Sequence, residues 1–319
     1  MGAELGGEIS KNFRGRDFLS VDNFSRAEIY EIFAVAKDLK EKQKKGEPHQ
    51  LLKGKTLGMI FQKSSTRTRV SFEVGMWQLG GSALFLTAQD LQIGRGEPVK
   101  DTARVLSRYL DGIMIRTYSH FEVEELAKYA DIPIINGLTD LLHPCQAMAD
   151  IFTALEYKGD VRGRKLAYIG DGNNMANALL QLCAKIGMDI SVAAPAAYSP
   201  DSEIVKQAFE AAKASGSKIS LVQDPLLAAQ DADVLYTDVW ASMGREDEQI
   251  TRREAMVNFC INDAAVKAAK SDVIVMHCLP AHRGEEITDD IIEGPHSVIF
   301  DEAENRLHVQ KAIMALTMG

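Results

Sequence analysis

The sequence predicts an α/β protein of two domains, each a parallel sheet flanked by helices. Three observations lead there. The chain of 319 residues is too long for one ordinary domain and suits two of about 150 residues, each able to bury its own core. Short apolar runs alternate with helical patterns along its whole length, in two series, as parallel sheets require of their crossovers. The polar stretch Glu156-Tyr157-Lys158-Gly159-Asp160-Val161-Arg162-Gly163 separates the two series, so the expected division is residues 1–150 and 151–319.

The first element is a surface helix. Ser25-Arg26-Ala27-Glu28 reads as a capping box, Ile29, Ile32, Phe33, Ala36 and Leu39 recur at helical spacing, and Lys44-Lys45-Gly46 closes the segment. Leu57–Phe61, Ala83–Leu86, Gly112–Ile115 and Ile132–Ile135 follow as strands with helices between them. The second series places strands at Leu166–Ile169, Ile190–Ala193, Ile219–Val222, Val234–Tyr236, Val273–Met276 and Val298–Phe300. The last segment, Ala303 to Met318, has helical periodicity and either caps the second sheet or packs back on the first domain.

Composition narrows the function. Hydrophobic residues at 46% and charged residues at 25% describe a globular chain, and a net charge of −9 argues against general affinity for nucleic acid or anionic membrane. No apolar run has the 18 or so residues of a membrane span, and Met1 to Ser20 lacks the apolar stretch of a signal peptide, so the expected location is the cytoplasm. Cys145, Cys183, Cys260 and Cys278 are far apart and form no C-x-x-C pair, which indicates free thiols rather than a zinc cluster or a disulfide framework.

Open parallel sheets bind ligands beyond the carboxyl ends of their strands, so the residues that follow each strand matter most. After the first strand comes Ser64-Ser65-Thr66-Arg67-Thr68-Arg69. A helix starting in this turn aims free N–H groups and its positive dipole end at an anion, with Arg67 as a bidentate clamp. Ser65 or Thr66 as a plain cap is the simpler alternative, but three hydroxyls and two arginines in five residues favour the anion site. Gly54-Lys55-Thr56 resembles the end of a P-loop, yet the first glycine of that motif would fall on His49.

Gly170-Asp171-Gly172-Asn173-Asn174-Met175 occupies the place of a dinucleotide fingerprint without its third glycine; Met175 would crowd the helix and Asp171 would repel a pyrophosphate. The two amides suit a zwitterion, with one of them expected to cap the helix. Arg116 follows the third strand and His143-Pro144-Cys145-Gln146 the fourth; the arginine supplies permanent charge, and His143 and Gln146 can each donate to a carbonyl oxygen under attack. Asp238-Val239-Trp240-Ala241-Ser242-Met243-Gly244 and His277-Cys278-Leu279-Pro280 also follow strands. Asp238 can hold an ammonium group; Cys278 is either a buried packing residue or a polar contact beside it. No G-x-S-x-G elbow occurs.

With these residues in order, the chain resembles the aspartate/ornithine carbamoyltransferase family over nearly its whole length. Ser65-Thr66-Arg67-Thr68-Arg69 and His143-Pro144-Cys145-Gln146 resemble its two carbamoyl phosphate signatures, and the Asp238 and His277-Cys278-Leu279-Pro280 segments resemble its ornithine branch. The resemblance implies an active site in the cleft between the domains and transfer of a carbamoyl group from carbamoyl phosphate to the side-chain amine of L-ornithine. It implies that Ser65, Thr66, Arg67, Thr68 and Arg116 hold phosphate, that His143, Pro144, Cys145 and Gln146 surround the carbamoyl group, and that Cys278, Leu279 and Arg306 complete that site. Asn173, Asn174, Asp238, Ser242 and Met243 are implied for ornithine, Gln92 for a neighbouring subunit's site in a homotrimer or an assembly of trimers, and neither metal nor cofactor is called for. Arg67, Arg116, His143, Asp238 and Cys278 are the expected catalytic set. Two rivals remain: a carbamoyltransferase for putrescine or an N-acylated ornithine, and a non-catalytic binding module on the same scaffold.

Overall fold

The structure is a computed structural model that describes residues 12–87, 91, 96–241 and 248–319. By contacts it divides into two compact units. The first comprises residues 1–19, 27–139 and 307–319, and the second residues 20–26 and 140–306.

In the first unit, α1 (Arg26–Lys45) buries Ile29, Ile32, Phe33, Ala36 and Leu39, the stripe its spacing predicts, and Gly46 ends it with φ of 68°. Strands β1 (Thr56–Phe61), β2 (Ser82–Thr87), β3 (Gly112–Arg116) and β4 (Ile134–Leu138) form a parallel sheet in the order β2-β1-β3-β4. The fourth strand starts two residues later than its apolar run, because Pro133 has no N–H to give a ladder and Ile134 N–H is taken by Asp17 at 2.8 Å. Helices α2 (Thr66–Gln78), α3 (Val99–Leu106) and α4 (His120–Tyr129) connect the strands, and Ile60, Ala103, Ile113, Ile115, Val123, Leu126 and Ile134 form a core among them.

The second unit begins its helical part with α5 (Pro144–Lys158), which starts on a proline, runs without a break and stops at Gly159 with φ of 70°. A division at 150 would cut this helix, and the contacts assign all of it to the second unit. Strands β5 (Lys165–Ile169), β6 (Asp189–Ala193), β7 (Ile219–Val222), β8 (Val234–Thr237) and β9 (Ile274–His277) form a parallel sheet ordered β7-β6-β5-β8-β9. Helix α6 (Asn174–Ile186) is buried along every residue except Lys185, and its polar stripe is satisfied within the fold: Asn177 donates to Leu141 O at 3.0 Å and accepts from Asp201 N–H at 3.0 Å, and Gln181 accepts from Ser20 Oγ at 3.0 Å. Helices α7 (Ser202–Ser215), α8 (Pro225–Ala229), α9 (Gln249–Met256), α10 (Asp263–Ala268) and α11 (Asp289–Ile292) complete the unit.

The run Val298–Phe300 is not a strand. His296 and Val298 flank a single bridge between Ser297 and Val275 of β9, through Val275 N–H to His296 O and Val298 N–H to Val275 O, and the chain then turns into α12 (Ile299–Met318). Three apolar residues cannot sustain a ladder once Asp301 and Glu302 occupy the first turn of a helix, where acidic side chains are favoured. From Leu307 onward α12 counts with the first unit, and residues 308–318 are buried there. Gly75 of α2 makes this possible: a Cβ at that position would meet Met314 Cε at 3.0 Å and Lys311 Cγ at 3.2 Å, so the two helices touch through bare backbone.

Candidate functional site

In the first sheet the strand order reverses between β1 and β3, the point at which open α/β sheets hold ligands. Phe61 and Arg116 are register partners across that junction, so the turn after β1 and the end of β3 leave the sheet side by side. Ser65 caps α2, accepting from Thr68 N–H at 3.3 Å and donating to Thr68 Oγ1 at 3.1 Å. The buried Arg116 donates from Nη1 to the same Thr68 oxygen at 3.4 Å. Thr66 and the half-buried Arg67 open the helix. The structure thus brings Ser65, Thr68 and Arg116 together at the positive end of a helix of 13 residues. Arg69 is turned elsewhere: it stacks 3.8 Å from the Phe85 ring centroid and pairs with Glu73 at 3.4 Å. Lys63, buried 4.1 Å from the Tyr118 ring centroid, is a further cation near this edge that sequence motifs gave no reason to choose.

The second sheet repeats the pattern. Its order reverses between β5 and β8, and Asn173, after β5, meets Asp238, after β8. Asn173 is the capping amide of the pair. Its Oδ1 accepts from Met175 and Ala176 N–H at 2.9 and 3.3 Å and from Tyr168 Oη at 3.1 Å, while its Nδ2 donates to Asp238 Oδ2 at 2.8 Å. The other Asp238 oxygen accepts from Val239 N–H at 2.8 Å and from Cys278 Sγ at 3.0 Å. Asp238 is buried, Cys278 and Leu279 are half-buried, and Asn174 is buried at the first helical position. Burial, and then the neighbouring Asp238 carboxylate, push the Cys278 thiol well above its ordinary range, so at neutral pH it is a hydrogen-bond donor and not a base.

The glycine-rich turn carries no dinucleotide site, for a reason beyond the missing glycine. A Cβ on Gly172 would lie 2.3 Å from Pro200 N, and Gly172 N–H donates to Tyr198 O at 2.8 Å, so the chain's own segment occupies the place a pyrophosphate would take. Asp171 is not the obstacle that its charge alone suggests, because it is buried against Arg252 Nη1 at 2.5 Å. Arg252 also bonds Glu248 at 2.8 Å and lies 4.7 Å from the Tyr198 ring centroid.

His143 caps α5 by position and is buried at 5% exposure. Cys145 is fully buried, and burial lifts its thiol to about 12. Gln146 lies in a polar cluster within the second unit: it accepts from Arg306 Nη1 at 2.7 Å and donates to Asp150 Oδ1 at 2.7 Å and Glu302 Oε1 at 3.2 Å. Asp150 and Glu302 were not among the residues that motifs pointed to. Their signal is present in the sequence as polar residues four apart from Gln146 and Arg306 on otherwise apolar helices.

Asp238, His277 and Cys278 offer ligand atoms within 4.8 Å of one another, but these atoms are committed to protein partners. His277 Nδ1 accepts from Leu279 N–H at 2.8 Å, which leaves Nε2 as the protonated nitrogen, donating to Glu286 Oε1 at 3.0 Å. Gln92, Ser242 and Met243 lie outside the described residues.

The chain belongs to the aspartate/ornithine carbamoyltransferase family. Residues 16–156 match the family's carbamoyl-P binding domain and residues 162–317 its Asp/Orn binding domain. The chain is 57% identical over 305 residues to an ornithine carbamoyltransferase of Thermococcus kodakarensis, covering 96% of this chain and 97% of that one. An anabolic ornithine carbamoyltransferase of Pyrococcus furiosus is also 57% identical over 305 residues, with coverage of 96% and 97%. Among solved structures, ornithine carbamoyltransferase from Pyrococcus furiosus superposes with a TM-score of 0.94 at 57% identity, covering 96% of this chain and 98% of that chain. Ornithine transcarbamoylase from Giardia lamblia does so with 0.85 at 33% identity, covering 95% and 98%.

Proposed function

We propose that this chain transfers the carbamoyl group of carbamoyl phosphate to the side-chain amine of L-ornithine, giving L-citrulline and phosphate, as part of arginine metabolism. The observation that carries this reading is the fixed Asp238 carboxylate, held by Asn173, Val239 N–H and Cys278, in a chain whose other sheet presents the Ser65, Thr68 and Arg116 group. A buried carboxylate with three donors already in place suits an amine-bearing side chain; hydroxyls and guanidinium at a helix N-terminus suit a phosphate.

Carbamoyl phosphate is a mixed anhydride, so its carbonyl carbon is electrophilic and phosphate leaves once its charge is neutralised. Ser65, Thr66, Arg67, Thr68 and Arg116 take that role. His143 and Arg306 orient and polarise the carbamoyl oxygen, each preorganised donor contributing about 3 kcal/mol to the lowering of the barrier; Pro144, Cys145 and Leu279 flank it, and Gln146, whose amide hydrogens are taken by Asp150 and Glu302, accepts from Arg306 and holds it in place. Ornithine must react as a free amine, and at neutral pH only about one such amine in a few thousand is unprotonated. Asp238 accepts a hydrogen bond from it, and Asn174, Ser242 and Met243 hold the amino-acid end. Asn173 positions Asp238 from behind. Cys278 enters as a thiol; a cation arriving beside Asp238 opposes the negative field that suppresses its ionisation and brings the thiol into play as a proton relay.

A division of labour, carbamoyl phosphate with the first domain (expected as residues 1–150) and ornithine with the second (expected as residues 151–319), is part of this proposal, as are a cytoplasmic location and a homotrimer or assembly of trimers. Four free cysteines support a reducing compartment. Trp77 and Val70 of α2 are 77% and 51% exposed and Leu84 of β2 is 48% exposed, an apolar face that supports self-association.

Steady-state turnover with carbamoyl phosphate against ornithine, putrescine and N-acetylornithine tests the reading. Citrulline and phosphate formed in equal amounts, with ornithine as the preferred amine, is the expected result; preference for either other amine would reassign the acceptor, and no phosphate release with any amine would overturn the assignment as an enzyme.

A further inference from the structure

We propose that Asp150 and Glu302 are positioning residues: a buried carboxyl pair, sharing one proton, that holds Gln146 and Arg306 and anchors the backbone at His277, one residue before Cys278. This rests on the reading above, in which Arg306, held by Gln146, binds carbamoyl phosphate and Cys278 lies beside the amine.

Three of the four carboxyl oxygens accept a hydrogen bond, and the fourth, Asp150 Oδ2, is buried without a donor, which marks the place of the proton. Gln146 and Asp150 lie one turn apart on α5, and Glu302 and Arg306 one turn apart on α12. The Gln146 amide nitrogen donates to Asp150 Oδ1 at 2.7 Å and Glu302 Oε1 at 3.2 Å, and its oxygen accepts from Arg306 Nη1 at 2.7 Å. The second Glu302 oxygen accepts from His277 N–H at 2.8 Å. Asp150 and Glu302 are wholly inaccessible to solvent, and Gln146, Arg306 and His277 are exposed by 1%, 4% and 1%. One element thereby fixes both a donor-side amide and guanidinium and the start of the acceptor-side segment.

The charges require a proton. Two carboxylates facing one guanidinium would leave a net negative charge in a dry interior, whereas a singly protonated pair and Arg306 balance. Tyr236 on β8, His277 at the end of β9 and Cys278 after it, Cys183 on α6 and Cys145 on α5 also face the cluster; burial raises the tyrosine and the Cys278 thiol, and the charges of Asp150 and Glu302 add to it. One helical turn further along, Asn305 donates to Glu156 at 2.7 Å. Burial lifts Asp150 to about 7 and Glu302 well above the carboxylate range. Loss of the shared proton on the alkaline side leaves Arg306 over-neutralised, and a phosphate-bearing ligand is then held less well.

The test is calorimetric titration of the full chain with phosphonoacetamide, a stable phosphonate analogue of carbamoyl phosphate, across neutral to alkaline pH. Asp150→Asn retains the shape and fixes the proton's place: its Oδ1 keeps the bond from Gln146 and its Nδ2 replaces the protonated oxygen, whereas both oxygens of Glu302 accept from N–H groups and an amide there would oppose one of them. It is expected to bind much as the parent does on the acid side and to keep its affinity on the alkaline side, where the parent weakens by about tenfold relative to it. Glu302→Ala is expected to weaken binding at all pH values. The analogue's own titration is common to all variants, so the difference between profiles is the readout. Parallel profiles for the parent and Asp150→Asn would overturn the proposal even if Glu302→Ala does not fold. A parent protein that neither binds the analogue nor turns over carbamoyl phosphate with ornithine would overturn the functional reading on which the proposal stands.

Discussion

Asn173 performs two tasks that substitution can separate. Its Oδ1 caps α6 through Met175 and Ala176 N–H, and its Nδ2 holds Asp238 at 2.8 Å. Asn173→Ser keeps a capping oxygen and removes the amide donor; Asn173→Ala removes both. A lost cap costs about 1 kcal/mol of stability, and a lost hydrogen bond to a buried carboxylate about 1.5–3 kcal/mol. The alanine variant is therefore expected to be destabilised by roughly 2.5–4 kcal/mol and the serine variant by roughly 1.5–3 kcal/mol, a gap of about 1 kcal/mol that belongs to the cap. Both variants release Asp238 equally, so both should raise the KM for ornithine by about 10- to 100-fold, at about 1.4 kcal/mol per factor of ten, while the KM for carbamoyl phosphate changes little. Urea unfolding gives the first pair of numbers and initial-rate kinetics the second. A serine variant with the parent's KM for ornithine would refute the argument that Asn173 orients Asp238, whatever its stability.

Arg67→Ala is expected to lower kcat/KM for carbamoyl phosphate by about two orders of magnitude or more, measured by phosphate release; parent-like kinetics would remove the phosphate clamp. Cys278→Ser keeps a donor to Asp238 but has no thiol to ionise, so it should reduce ornithine turnover by about tenfold or more and change the pH profile of kcat, and a profile superimposable on the parent's would leave Cys278 as packing alone. Lys311 is buried on α12, donating to Gln78 Oε1 at 2.8 Å and meeting His49 Nε2 at 3.2 Å, and burial lowers its pKa to about 8. Because the unfolded chain keeps that proton up to about pH 10.4, stability attributable to this residue should rise by about 3 kcal/mol as pH increases from about 8 to about 10.4. Urea midpoints of the parent and Lys311→Met across that window provide the check, and equal slopes would contradict it.

Much of this architecture is written locally. The stripe of Ile29, Ile32, Phe33, Ala36 and Leu39 specifies α1, and Ser65 as the cap of α2 follows from a hydroxyl placed between an apolar strand and an amphipathic run. That one of Asn173 and Asn174 caps α6 was legible; which one was not, because the answer depends on Tyr168 and Asp238, the latter 65 residues away. The same limit hid the Arg252 partner of Asp171, separated by 81 residues, and the Glu302 partner of Gln146, separated by 156. Pairings of this kind are made by the sheet order and not by any spacing along the chain. The Val298–Phe300 run failed for the opposite reason: its composition suits a strand, but the acidic turn that follows makes it the start of a helix.

The assignment of Leu307 onward to the first unit sets an order of events during synthesis. The ribosome delivers all of residues 140–306 before it delivers the helical turns that fill the space over Gly75 and Gly112, where Met314 and Met318 lie. The half of the molecule made first is consequently the half completed last, because the helical turns that cover Gly75 and Gly112 are the last to leave the ribosome.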